Sequence, residues 1–124
     1  MSMRTWIAGF WLASAALVPV SASAFNTSFL RDGPFVYFTD TDWSMFKETL
    51  DKALNENADG ATAKWNNSSS GSTGEVTPLN TREVDGMTCR QTRLVNRAQG
   101  VSAGGEYLLC KAAGGEWTIG GPRN

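Results

Sequence analysis

The chain contains no histidine and only two cysteines, Cys89 and Cys110. Histidine is the usual general base near neutral pH and the commonest zinc ligand, so ordinary base catalysis and a zinc centre both lack their residues. The cysteines stand too far apart for a redox Cys-x-x-Cys pair. Asp40 with Asp42, and Glu83 with Asp85, are carboxylate pairs of the kind that cleave glycosides, but nothing in the pattern holds either pair at a working distance. Ser68, Ser69 and Ser70 fall in a polar run without a base, and the glycine-rich stretches at 100–105 and 114–121 lack a phosphate-binding fingerprint that opens a helix. No catalytic residue, cofactor site or metal site is expected, and Asp40 and Asp42 read instead as helix-capping acids.

The first 24 residues explain where such a chain would operate. Arg4 is followed by an apolar stretch from Trp6 to Val20 and then by Ser21-Ala22-Ser23-Ala24, the three-zone order of a cleavable secretory signal. Pro19 ends the apolar helix, Ala22 and Ala24 offer the small side chains a signal peptidase accepts, and cleavage is expected before Phe25. The apolar run, about 15 residues, falls short of the roughly 20 that span a bilayer, so no transmembrane segment is expected after cleavage. Removing Arg4 leaves ten basic and twelve acidic residues, a balance that gives nucleic acid no basic stripe to bind. In an oxidising compartment, Cys89 and Cys110 are expected to be bonded to each other.

The remaining residues, 25–124, read as one α+β domain. Residues 25–39 form an aromatic N-terminal arm around the turn signal Gly33-Pro34, read as packed into the core, with an aromatic docking surface as the alternative. The next unit, 40–56, is a helix: Asp40, Thr41 and Asp42 offer caps, and Trp43, Phe46, Leu50, Ala53 and Leu54 recur on one face over about 43–55. Lys47 with Asp51, and Glu48 with Lys52, have the i,i+4 spacing of ion pairs. Residues 60–120 have strand character, with strands expected near 62–66, 74–83, 87–98, 104–112 and 116–119. A polar loop at 66–74, Asp85-Gly86 and Ala113-Gly114-Gly115 provide the turns. The expected architecture is therefore one amphipathic helix packed on a four- to five-stranded antiparallel sheet.

The cysteines set the register. If the third and fourth strands turn at Gln99-Gly100, Cys89 and Cys110 lie at equal distances from the turn and face each other, as do Arg93 and Glu106. Directly opposed antiparallel positions are close enough for a disulfide, so a cross-strand bond is expected.

From Ala58 onward the landmarks Trp65-Asn66, Gly71, Gly74, Val76-Thr77-Pro78, Gly86, Cys89-Arg90, Cys110 and Gly115-x-Trp117-x-Ile119 occur in a specific order. This order resembles the C-terminal domain of the bacterial surface-antigen family named after the seventeen-kilodalton outer-membrane antigen, across roughly residues 55–119. A Trp-Asn-Pro loop, a Gly-x-Val-Thr-Pro strand, a Cys-Arg pair and a closing Gly-x-Trp recur in that family. Here Asn67 replaces the proline and Lys111, not arginine, follows Cys110. The lipidated cysteine and glycine-zipper hairpin of many members have no counterpart. The resemblance implies an envelope domain and brings no catalytic residue. Trp65 and Trp117 are candidate binding residues or simply core aromatics. Arg90 is either a cross-strand hydrogen-bonding residue or an anchor for a partner's carboxylate. The function expected is a non-catalytic exported envelope module, in the periplasm or at the outer membrane, with another envelope protein or peptidoglycan as partner. The alternative is a soluble periplasmic inhibitor or chaperone of a protein.

Overall fold

The structure, a computed structural model, describes residues 33–119. The expected export signal and the start of the aromatic arm, residues 25–32, lie outside the described residues.

A short 3-10 helix, η1 (Gly33–Tyr37), precedes the α-helix α1 (Asp40–Glu56), the single α-helix among the described residues. Five strands follow: β1 (Ala63–Asn67), β2 (Ser72–Val84), β3 (Met87–Ala98), β4 (Val101–Lys111) and β5 (Trp117–Ile119). They form one sheet in the order β1-β2-β3-β4-β5, every neighbouring pair antiparallel. Each strand thus pairs with the next in sequence, which short turns between consecutive strands dictate.

The helix begins earlier than its apolar face suggests. Thr39 is the N-cap, its hydroxyl accepting from the amide of Asp42 at 3.1 Å, while Asp42 Oδ2 accepts from the Thr39 amide at 3.0 Å. This reciprocal box makes Asp40 and Thr41 helical residues and corrects the expectation that the caps were residues 40–42. Phe46, Leu50, Ala53 and Leu54 are buried, at the three- and four-residue steps of one helix face. Trp43 is half-buried, with Phe35 stacked on its ring at 5.6 Å and Lys47 Nζ 5.9 Å from its centroid. Neither expected i,i+4 pair closes to an ion pair among the described residues, and Asp51 instead accepts from Asn55 at 3.1 Å.

The polar loop at 66–74 is shorter than expected, because Asn67 already pairs with Ser72 and leaves only residues 68–71 to turn. Likewise β4 starts at Val101 and not at 104. Gln99 and Gly100 both have positive φ, 52° and 75°, and so form a two-residue turn of the hand that matches strand twist. Pairing therefore resumes at once. The β3–β4 register runs without a break from Cys89↔Cys110 to Ala98↔Val101 and includes Arg93↔Glu106, whose side chains are 3.1 Å apart. The glycines at 104 and 105 introduce no shift. The one irregularity of the sheet is in β2, between Pro78 and Asn80, beyond the end of the β1 ladder. A proline is tolerated there because it has no amide to offer a ladder, and its carbonyl accepts from Gly60 at 2.6 Å.

One sheet face is covered by the helical segments, α1 over β1 and β2, η1 over β3 and β4. From Thr92 to Ala98, β3 alternates buried and exposed residues without exception, the pattern of a sheet packed on one side only. The core joins Phe46, Leu50, Ala53 and Leu54 of the helix to Trp65, Val76, Leu94, Leu109 and Trp117 of the strands. Of the aromatic arm, Phe35 and Phe38 pack on this core, while Val36 and Tyr37 are exposed.

A disulfide joins Cys89 to Cys110, linking β3 to β4 with Cα atoms 4.0 Å apart. Both residues are fully buried. Closing a loop of 21 residues restricts the unfolded chain by about 3 kcal/mol. Replacing both cysteines by serine should lower the unfolding free energy by about that amount. An equal melting temperature for parent and variant, measured by circular dichroism, would contradict the assignment of this stabilisation.

Candidate functional site

The helix leaves its last carbonyls without partners, as every helix does, and has no basic residue in its own last turn. The missing cation comes from β3. Arg90 is 6% exposed, and its side chain runs to the C-terminal end of α1. There Nη1 donates to the carbonyls of Ala53 at 3.2 Å and Leu54 at 2.8 Å, and Nη2 donates to the carbonyl of Asn57 and to Asp59 Oδ1, both at 2.8 Å. Nε donates to Thr81 Oγ1 at 2.9 Å, and Thr81 in turn donates to Asp59 Oδ1 at 2.8 Å. The guanidinium's five N–H groups meet five acceptors within the chain. A cation at this end also opposes the negative pole of the helix. The hydrogen bonds from Arg90 and Thr81 hold the Asp59 carboxyl below its ordinary value of 3.8.

The opposite end of α1 has the complementary arrangement. Asp42 is fully buried and accepts two hydrogen bonds on each oxygen. Oδ1 takes Asn67 Nδ2 at 2.7 Å and Ser70 Oγ at 2.6 Å, and Oδ2 takes Ser72 Oγ at 2.8 Å and the Thr39 amide. One carboxylate thus joins the helix start to the β1–β2 turn. Burial pushes its pKa up, but the hydrogen bonds from Ser70, Thr39, Ser72 and Asn67 outweigh that and hold it below 3.8. Asn67, where the family pattern has proline, supplies one of these donors.

The two tryptophans complete the join. Trp117 is 2% exposed and donates from Nε1 to Asn55 Oδ1 at 3.2 Å, an acceptor it shares with Lys111 Nζ at 3.0 Å. That contact ties the short strand β5 to the last turn of α1. Trp65 stands edge-on to Phe38 with centroids 5.3 Å apart, and it occupies one cross-strand row with Gly74 and Asn96. A Cβ at Gly74 would collide with both Trp65 Nε1 and Asn96 Oδ1, so only glycine lets the indole and the carboxamide cross β2. These two atoms, a donor and an acceptor without a hydrogen-bond partner among the described residues, converge on the space over Gly74.

The residues singled out from the sequence therefore belong to one frame around the helix and the sheet, Trp65 on β1, Cys89 and Arg90 on β3, Cys110 on β4 and Trp117 on β5. Arg90, Trp65 and Trp117 lie on the helix side of the sheet, and the disulfide lies on its other face, next to Arg90 in sequence. Asp42 was read only as a cap, and Asn67, Ser70 and Ser72 only as loop residues. The available signal was three polar side chains in a turn facing a helix start that contains a carboxylate. Among the described residues no helix is long and apolar enough to cross a membrane.

A small meander sheet, stapled by a buried disulfide and clamped to one helix through a buried arginine and a buried aspartate, defines a compact α+β module. The chain belongs to the family described as 17 kDa outer membrane surface antigen, whose model matches residues 52–118. That span takes in the last five residues of α1 and all of the sheet except its last residue, and membership fits an exported envelope protein. No curated protein and no solved structure matches the chain significantly.

Replacing Arg90 by leucine strands three helix-end carbonyls, and stability should fall by about 3 kcal/mol in urea unfolding with an unchanged m-value. Arg90→Lys, which keeps the charge but not the fork of donors, should recover only part of that loss. For Asp42 the sign follows from its depressed pKa. Its contribution is complete above 3.8, the unfolded value, and is lost as pH falls through the lower folded value. As a cap alone, Asp42→Ala would cost about 1 kcal/mol. With the donors of Asn67 and Ser72 left buried, a loss of about 3 kcal/mol is expected at neutral pH. Denaturation curves at pH ~7 and ~2 should show the gap between parent and Asp42→Ala closing in acid.

Proposed function

We propose that this protein is a non-catalytic module of the cell envelope, exported and processed, whose work is structural or binding. The reading is carried by the use to which the polar side chains are put. Arg90 and Asp42 are the groups best suited by burial to act on a substrate, yet both are saturated by contacts that fasten the helix to the sheet. A general acid or base needs a free lone pair or proton directed at a substrate, and a catalytic thiol needs to be reduced. Membership of the surface-antigen family supports the envelope location.

Fractionation of the native host tests this. The protein should begin at Phe25 by intact mass and stay with the envelope pellet after osmotic shock. Release with the soluble periplasm would favour an inhibitor or chaperone, and retention of Met1 would refute export. A turnover abolished by changing a single carboxylate would refute the non-catalytic assignment.

A further inference from the structure

The two layers of the molecule carry opposite charge. On the exposed side of α1, Asp40, Glu48, Asp51 and Glu56 outnumber Lys47 and Lys52. The sheet face turned away from the helix carries Lys64, Arg82, Arg93 and Arg97 against Glu75 and Glu106, as the cross-strand register requires. Both acids on that face are already engaged, Glu75 by Lys64 at 3.5 Å and Glu106 by Arg93 at 3.1 Å. Arg82 and Arg97 are exposed, with no ion pair or side-chain hydrogen bond among the described residues. The face is therefore cationic in a chain whose net charge is −1.

We propose that this outer sheet face docks on an anionic membrane surface, its arginines contacting the phosphates of lipid headgroups. Charge complementarity selects the occupant, and the spacing selects a surface over a single anion. Arg82 shares a row with Cys89, eight residues along β3 from Arg97, so the backbone positions of the two unpaired arginines are roughly 26 Å apart. That separation suits a field of phosphates and cannot converge on one. Guanidinium groups bind phosphate oxygens in pairs. The face also lacks the aromatic anchors that dominate protein interfaces, Val95 being its one exposed large apolar side chain on β3. The helix layer, with its excess of acids, faces away from such a surface. This proposal names the target of the binding module described above and rests on that reading.

The test uses the exported, oxidised protein and sedimentation with lipid vesicles of two compositions, pure phosphatidylcholine and the same lipid with about one-third phosphatidylglycerol. Binding should require the anionic lipid and should be released at about 0.5 M salt. Reversing the two free charges, R82E with R97E, should weaken it at least about tenfold. The pair K47E with K52E changes the net charge equally but on the helix layer, and should bind like the parent. R82Q with R97Q gives a milder version if the reversed pair folds poorly, which near-ultraviolet circular dichroism would report. Equal binding to neutral vesicles, or equal loss from both reversed pairs, overturns the proposal. If no vesicles bind while the native protein still fractionates with the envelope, this docking face is overturned and the module reading stands.

Discussion

A helix that ends against a sheet must satisfy its last carbonyls where water has limited access, and here one side chain does so. Arg90 donates to three carbonyls at the end of α1 and to Asp59 and Thr81, which joins the helix, the loop after it, and strands β2 and β3 at a single group. The position of Arg90 depends in turn on its neighbour. Cys89 is bonded to Cys110, so the backbone that carries the guanidinium is fixed to β4, and β4 holds β5 with Trp117 against Asn55. Loosening the arginine would unseat the helix end, and the rest of the core closes around that end.

The helix start is held by the opposite charge. Asp42 gathers donors from the helix cap and from the β1–β2 turn, and its negative charge lies at the positive pole of α1, as the Arg90 cation lies at the negative one. Two buried ionised groups, each saturated by hydrogen bonds and each matched to a helix pole, avoid the penalty that an unpaired buried charge would carry. Between them they fasten both ends of the helix to the sheet side of the molecule. Saturation has a functional corollary. Arg90 and Asp42 are taken up by architecture, and among the described residues the sheet face opposite α1 and η1 is left open to a partner.

Much of the fold was legible because it is local. Two-residue turns at Asp85-Gly86 and Gln99-Gly100 set the hairpins, and with the second turn placed, the pairing of Cys89 with Cys110 and of Arg93 with Glu106 followed. The helix face was legible from its period. Its bounds, 40–56, were legible too; only the cap was misplaced, because Thr39 looked like the end of the aromatic arm, whereas it forms the capping box with Asp42. The turn at 68–71 looked longer than it is, because polar composition marks a loop without showing where pairing begins.

Strand order, the disulfide partner and the apolar stripe of α1 were determined by the sequence itself, since each depends on residues near one another along the chain or on a period that persists through one element. The destinations of Arg90 and Asp42 were decided only by the tertiary structure. Their partners lie up to 37 and 30 residues away, and a guanidinium or carboxylate in the sequence carries no mark of which distant carbonyls or hydroxyls will surround it. That is settled when the helix packs on the sheet, because burial then obliges every polar group at the junction to find a partner within reach.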